Sequence, residues 1–224
     1  MAIGTDQYDD RSSAYTEDGK PIPPEVKYPM HKYTTDELVA QKPRGEEFGK
    51  LTRNPLVFIV HNVRSLQNVG LFFRLADAIH AKKIYLTGYT GYPKIENDTR
   101  HPGVIEHAEN EINKTAIKLV PFVPWERNED VLSVCGELRA TSYQLVSVEQ
   151  TDKSIDFREA SYKFPVAFIF GHERTGVEDE LLEKSNLVVH IPMLGMGNSH
   201  NVAMSAAIVS YHLLTLLPTK PWQP

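Results

Sequence analysis

The sequence predicts an α/β protein whose largely parallel sheet is covered by helices on both faces. Two observations carry this. From Leu56 onward, short β-branched or aromatic runs alternate with segments of helical periodicity, as expected for strands joined by crossover helices. Toward the C-terminus, two of the apolar runs end in glycine-rich loops, at residues 171–176 and 192–197, and each loop opens a helical segment. Ligands of open α/β sheets bind where strands end and helices begin, so these two loops mark the candidate site.

The elements follow in order. Residues 56–60 (LVFIV) form a strand. Residues 67–81 form a helix, with Val69, Phe72, Phe73, Ala76 and Ile79 at helical spacing, and 83–87 the next strand. A helix at 106–114, a strand at 117–120 and a helix at 128–140 come next, the last with Val131, Val134, Cys135 and Leu138 on one face. Strands are expected at 143–148, 166–170 and 187–191. Thr175 and Glu178 have the spacing of a capping box and start a helix after the first glycine loop. Asn198 or Ser199 caps a final helix at 202–217.

Residues 1–53 differ from this body, which spans 54–224. They are polar and rich in Asp, Glu, Lys and Pro, and Pro21-Ile22-Pro23-Pro24 forbids a regular helix. Thr34 or Thr35, followed by Asp36-Glu37-Leu38-Val39-Ala40, starts one short helix. The segment is either an arm that packs on the body or a partner subunit, or a disordered extension. Tyr8, Tyr15, Tyr28 and Tyr33 speak for some packing.

A chain of 224 residues supports one sizeable core, or one core plus an arm. The net charge of −5 does not advertise nucleic-acid binding, although a local patch matters more than the sum. Lys42, Arg44, Lys50, Arg53 and Arg64 form such a local cluster, or simply a solvated surface. The single cysteine, Cys135, excludes an internal disulfide and sits where a small buried residue is expected. No stretch approaches the ~20 apolar residues of a membrane span. The N-terminus has no apolar signal core, so a cytoplasmic protein is expected. The nine histidines show no H-x-x-x-H pair on an expected helix and no flanking cysteines, so no metal site is expected.

The final helix is apolar nearly all round: Val202, Ala206, Val209, Leu213 and Leu216 form one stripe, widened by Ala203, Ala207, Ile208 and Leu214. It needs burial on two sides, either at the centre of the monomer or against a partner.

Three motifs carry a family resemblance. The second is G-x-E-x-x-G at Gly171, Glu173 and Gly176; the third is I-P-M-x-G at Ile191–Gly195 followed by S-x-N-V at Ser199–Val202; the first lies before both. Upstream, residues 62–88 run N-V-R-S-L-Q-N-V-G-L-F-F-R-L-A-D-A and end in I-Y-L-T-G. In this order, over about residues 56–217, they resemble the motifs of SpoU-type RNA methyltransferases of the SPOUT superfamily. Two positions depart from the family: His200 stands where leucine is common, and His80 replaces the usual small residue after the first helix.

The resemblance implies transfer of a methyl group from S-adenosylmethionine to a ribose 2′-hydroxyl of RNA, a homodimer whose terminal helices pack across the interface, and a C-terminal trefoil knot entered after about Pro165. Such chemistry needs orientation, exclusion of water and help in removing a hydroxyl proton. By the family's pattern Gly171, Ile191, Met193, Leu194, Gly195 and Ser199 line the cofactor site, and Gln150-Thr151 closes one side. Arg74 aligns with the arginine of the first motif. A guanidinium is a poor base, its pKa exceeding ~12, so it suits gripping an RNA phosphate and stabilising a developing alkoxide. Its alternative is a surface arginine. Glu173 either orients Arg74 or accepts hydrogen bonds from the loop. Asn68 either caps the first helix or contacts RNA, and Ser199 and Asn201 either cap the last helix or contact cofactor and ribose.

The long loop after the second strand carries Tyr89, Tyr92, Lys94, Arg100 and His101, a set suited to stacking on and neutralising single-stranded RNA. With Arg64, Lys94 and Arg100 are the expected RNA contacts beside Asn68 and Arg74. Val123-Pro124-Trp125-Glu126 resembles a segment of tRNA-type members, and no separate RNA-binding domain is recognisable, which together favour tRNA over ribosomal RNA. A nucleotide-dependent oxidoreductase lacks its G-x-G-x-x-G after the early strand. A non-catalytic RNA-binding protein on the same fold is opposed by the retained Arg74, Glu173, Ser199 and Asn201.

Overall fold

The computed structural model describes residues 31–42 and 50–217. The expectations for Tyr8, Tyr15, Tyr28, Arg44 and the proline run at 21–24 lie outside the described residues. The chain divides into two compact units, residues 1–49 (with 224) and residues 50–223. Of the first, the described part is a short helix, α1 (Thr35–Ala40). It has a complete capping box: the Thr34 hydroxyl accepts from the Glu37 N–H, and the Glu37 carboxylate accepts from the Thr34 N–H at 2.7 Å.

The second unit is an α/β fold. Its strands are β1 (Asn54–His61), β2 (Ala81–Thr87), β3 (Trp125–Asn128), β4 (Gln144–Val148), β5 (Ile155–Asp156), β6 (Val166–Phe170) and β7 (Leu187–His190). They form one seven-stranded sheet in the order β3-β2-β1-β6-β4-β7-β5, and every pairing is parallel. The helices are α2 (Leu66–Ala78), α3 (Pro102–Ala116), α4 (Val131–Ala140), α5 (Asp179–Lys184) and α6 (Val202–Leu216).

The central strands are continuous apolar runs because both of their faces are covered. In β1, Leu56, Phe58 and Val60 point into one core while Val57 and Ile59 point into the other; in β6, Val166, Phe168 and Phe170 divide from Ala167 and Ile169 in the same way. The first core holds α2 and α6 and an aromatic cluster of Phe58, Phe72, Phe168 and Phe170; the second holds α4 and Leu181 of α5. Pro55 is tolerated because it lies at the start of β1, where the register shifts. Gly70 lets α2 sit against α3: a Cβ there would lie 2.2 Å from the Ile112 carbonyl oxygen. Cys135 is buried in the second core, and burial pushes its thiol up to about 11.

Several local expectations are corrected. The helix expected at 106–114 is α3, which begins at Pro102, a residue suited to a first helical turn, with His101 as N-cap. The strand expected at 117–120 does not form, because Ile117 and Lys118 take left-handed backbone and a 3₁₀ turn follows at Val120–Phe122. The edge strand is β3 instead, a polar four-residue segment. α2 is capped by Ser65, not by Asn68, and α6 by Asn201, not by Asn198 or Ser199. Thr175 and Glu178 form no capping box: Glu178 is the N-cap of α5 without a side-chain bond, and the Thr175 hydroxyl pairs with His172 Nδ1 at 3.1 Å.

The final helix also divides differently from expectation. Ala206, Val209 and Leu213 are fully buried in the monomer's own core, while Met204, Tyr211 and Leu216 are exposed. The uncovered apolar face is therefore the Met204–Tyr211 side, not the Val209–Leu213 stripe.

Candidate active site

A cleft of about 450 Å³ opens over the C-terminal ends of β4, β6 and β7. Volumes of this size hold small molecules and cofactors. Three loops build it, each leaving one of these strands.

The loop after β6 is folded tightly on itself. His172 and Gly176 form an antiparallel bridge, with the His172 N–H donating to the Gly176 carbonyl at 3.0 Å and the reverse bond at 2.9 Å. Any side chain at Gly171 would put its Cβ 2.1 Å from the Gly176 carbonyl oxygen. Gly176 takes a φ of +72°, and a Cβ there would meet a Glu149 carboxylate oxygen at 2.0 Å. Glu149, from the loop after β4, accepts from the Val177 N–H at 2.9 Å and so ties these two loops together. The His172 Nδ1 accepts from the Arg174 and Thr175 N–H groups, which places the ring's proton on Nε2 when the imidazole is neutral.

Glu173 looks away from this loop. Its carboxylate accepts from the N–H groups of Arg64 and Ser65, both at 3.0 Å, and from the Asn68 side chain at 3.1 Å. Burial pushes its pKa up, but these hydrogen bonds outweigh burial and leave it below the ordinary glutamate value. Asn68 in turn accepts from the Asn201 side-chain amide at 3.0 Å, and Asn201 Oδ1 accepts from the N–H groups of Ala203 and Met204 at the start of α6. One hydrogen-bonded chain, Asn201–Asn68–Glu173, thus joins the third, first and second sequence motifs. Asn201 both caps and connects, and Glu173 does not pair with Arg74.

The third loop, 191–201, is open. Leu194 and Met196 are 98% and 101% exposed, and a Cβ at Gly195 would meet nothing within 4 Å.

The structure gathers part of the expected set. Gln150, Gly171, Ile191, Met193, Ser199, Glu173 and Asn201 line the cleft. Thr151, Leu194 and Gly195 do not; Thr151 is engaged in a turn with Ser154. Asn68 sits behind the cleft wall. Arg74 is exposed on α2, outside the cleft lining, without a side-chain partner among the described residues. Arg64 and Lys94 are exposed. Arg100 is not free for that role: it binds Asp98 with two nitrogens, donates to the Tyr92 and Pro93 carbonyls and stacks 3.7 Å from the Tyr92 ring centroid. The Asp98 carboxyl is accordingly held well below the usual carboxylate range. Arg53, from the basic cluster, likewise donates to the Ala81 and Phe122 carbonyls. Glu149, His172, His190 and His200 line the cleft and were not singled out as site residues. The Glu149 contribution is long-range backbone satisfaction, which leaves no sequence signal. Among the described residues, no group of three or more His, Cys, Asp or Glu side chains is placed to hold a metal ion, and no helix is long and apolar enough to cross a membrane.

The model of the SpoU rRNA Methylase family matches residues 55–211. A tRNA (guanosine(18)-2′-O)-methyltransferase of Borreliella burgdorferi is 27% identical over 188 residues, 84% of this chain and 78% of that protein. An Aquifex aeolicus protein of the same name is 25% identical over 156 residues, 70% of this chain and 67% of that one. Among solved structures, an AdoMet-bound rRNA methyltransferase from Sinorhizobium meliloti superposes with a TM-score of 0.61 at 25% identity, covering 75% of this chain and 59% of the other. The A. aeolicus TrmH/SpoU tRNA modifying enzyme superposes with a TM-score of 0.54 at 23% identity, covering 71% and 74%, and shares the fold.

Proposed function

The chain belongs to the SpoU rRNA Methylase family, and on that premise we propose that it transfers a methyl group from S-adenosylmethionine to a ribose 2′-hydroxyl of tRNA. That it is an S-adenosylmethionine-dependent RNA methyltransferase follows from the family match over most of the chain. The carrying observation is the cleft over β4, β6 and β7, where the three family motifs converge on one hydrogen-bonded chain. The names of the bacterial relatives support tRNA.

The cleft fits the cofactor. Gly171 and Gly176 leave backbone without side chains along one wall, as a neutral adenosyl group requires, and Gln150, Ile191, Met193 and Ser199 face the same space. When bound, S-adenosylmethionine supplies an electrophilic methyl carbon on a sulfonium. The protein's own work is orientation and exclusion of water. Glu173 is a clamp rather than a base, because three donors already occupy its carboxylate and favour its charged form. It fixes the loop after β1 against the loop after β6. Arg74 grips the RNA phosphate and stabilises a developing alkoxide.

We further propose a homodimer. Met204 and Tyr211 on α6, together with Leu194 and Met196 in the open loop, present large apolar side chains to water beside the cleft. An isologous contact covers both groups at once and closes the open loop over the cofactor. Arg74, outside the cleft of its own subunit, then acts from the dimer interface. The insertion of β6 between β1 and β4, and of β7 between β4 and β5, supports the trefoil knot expected from residue 165 onward. A cytoplasmic location fits an enzyme of tRNA.

The test is methylation of unmodified tRNA and ribosomal RNA transcripts, followed by nuclease digestion and mass spectrometry. A 2′-O-methylnucleoside from tRNA is expected. A methyl group on a base, or on ribosomal RNA alone, contradicts the assignment.

A further inference from the structure

The Glu173 clamp draws two arginines together at the mouth of the cleft over β4, β6 and β7. Its carboxylate accepts from the Arg64 N–H at 3.0 Å, and the residue after Glu173 is Arg174. Arg64 belongs to the loop after β1 and Arg174 to the loop after β6, so side chains far apart in sequence are rooted on either side of one carboxylate. Both are exposed, Arg174 lines the cleft, and neither has a side-chain partner among the described residues. The clamp does not neutralise them: Glu173 is satisfied by two backbone N–H groups and by Asn68. Two unpaired like charges rooted side by side repel each other and attract an anion.

His172 adds a third donor. Its Nδ1 accepts from the Arg174 and Thr175 N–H groups at 3.2 and 3.1 Å, so the neutral ring carries its proton on Nε2, on the edge turned away from these amides. The ring lines the same cleft as Arg174. A second cleft, over the C-terminal ends of β1, β2 and β3, has the opposite polarity. Its lining includes Glu178, bonded to Asn62 at 2.7 Å, and Glu129, 3.6 Å from Arg127. Arg127 is itself engaged with the Leu86 and Gly88 carbonyls. Tyr89 stands between the two clefts: it lines the second, is 60% exposed, and its ring lies 6.2 Å from that of His172, edge to face. A phosphate is drawn to the arginine side of this divide, and an aromatic face beside it suits a nucleotide rather than a free phosphate ion.

We propose that Arg64, Arg174 and the His172 Nε2–H form one seat for a phosphodiester of the RNA strand, with Tyr89 against an adjoining base. The guanidinium forks supply charge and paired donors, and the imidazole supplies a neutral donor of fixed direction. The seat is built within one subunit from two loops that Glu173 locks together, so it depends neither on a partner subunit nor on Arg74. It sets the register of the strand, so that a ribose is presented to the cleft. The proposal rests on the methyl-transfer reading for what the RNA is held for, and its binding chemistry is tested apart from methyl transfer.

The test is binding of an unmodified tRNA transcript to the full chain by filter retention, over a series of salt concentrations on the alkaline side of neutrality. Affinity for S-adenosylmethionine is measured in parallel by calorimetry and is expected to stay unchanged in every variant. The logarithm of RNA affinity falls with that of salt in proportion to the number of phosphates neutralised. Arg64→Ala combined with Arg174→Ala is expected to weaken binding by about 10–100-fold at low salt and to lower the salt slope by about one, because both groups serve one phosphate. A slope lowered by about two, the sign of two separate phosphates, or an unchanged slope overturns the shared seat. Arg64→Lys combined with Arg174→Lys keeps the charge and the stems, and is expected to keep the slope while losing about tenfold in affinity with the planar forks. Full affinity in the lysine pair overturns the seat even if the alanine pair disturbs the loop. His172→Asn retains an acceptor for the two amides and removes the Nε2–H. It is expected to weaken RNA binding by about three- to tenfold at an unchanged slope, since a neutral donor releases no counterion. Full affinity in His172→Asn overturns the three-donor arrangement. RNA binding with the expected dependence, in a chain that transfers no methyl group, overturns the methyl-transfer reading and leaves the seat standing.

Discussion

The loops after β6 and β7 carry equally strong sequence motifs, yet the monomer finishes one and leaves the other open. At 171–176 every glycine is demanded by a contact: Gly171 by the Gly176 carbonyl, Gly176 by Glu149 and by its positive φ. At 191–201 Gly195 touches nothing within 4 Å, and Leu194 and Met196 stand in solvent. A glycine-rich motif therefore has two physical meanings in one site. The first loop is a preformed wall. The second is open to solvent, and the homodimer proposed above would cover its two exposed large apolar side chains.

The sharpest way to break this comparison is to add the same side chain to both loops. Gly171→Val is expected to abolish S-adenosylmethionine binding, weakening it by about 100-fold or more, because the Gly176–Val177 backbone must move to admit the Cβ. Gly195→Val is expected to change affinity by less than about threefold, since no described atom opposes the new Cβ. Calorimetry of the two variants side by side decides it; equal losses would mean that the loops are built alike.

Arg74→Ala tests whether the residue outside the cleft serves the reaction. Turnover is expected to fall by roughly 10²–10³, the scale of losing one charge-stabilising donor, while cofactor affinity holds. Arg74→Lys should recover little, since an ammonium lacks the planar fork. Near-normal turnover in single-turnover assays of either variant would return Arg74 to the solvated surface.

The dimer is tested on the exposed face of α6. Met204→Glu with Tyr211→Glu is expected to give a folded monomer with little activity, measured by sedimentation and circular dichroism. Val209→Glu, by contrast, is expected to unfold the protein, because Val209 is fully buried in the subunit's own core. An unmodified protein that sediments as an active monomer would remove the covering subunit from the account.

Glu173 gives the smallest effect. Glu173→Gln turns an amide N–H₂ toward donors now satisfied by a carboxylate, and is expected to cost about 1–3 kcal/mol, a fall in Tm of about 2–4 °C per kcal/mol. The folded pKa lies below the ordinary value of 4.5, so the group's stabilisation is present above that pH and is lost as pH falls through the folded value. Stability of the unmodified protein should therefore decline below about pH 4.5 more steeply than that of Glu173→Gln.

Legibility in the sequence followed range. Strands β1, β4 and β6 and the faces of α2 and α4 were readable because both sheet faces are covered and burial alone writes the pattern. β3 was not, because an edge strand of Trp125-Glu126-Arg127-Asn128 carries no apolar signature, and the left-handed Ile117 and Lys118 broke an apparent strand. One cap was misplaced because a polar side chain had a distant partner. Asn68 looks like a cap but bridges Glu173 and Asn201, and the capping position went to Ser65. Glu149 was invisible for the same reason, its partner Val177 being 28 residues away. The family motifs supplied the cleft; the Asn201–Asn68–Glu173 chain that makes them one site exists only in three dimensions.

Hydrogen–deuterium exchange with and without S-adenosylmethionine tests the central claim most directly, because it places the cofactor as well as detecting it. Protection is predicted at 148–151, 171–177 and 191–201, with the greatest gain in the open third loop and little change at 88–92 or 127–132. Protection confined to the second cleft, or none at saturating cofactor, would contradict the assignment of the first cleft as the methyl-transfer site.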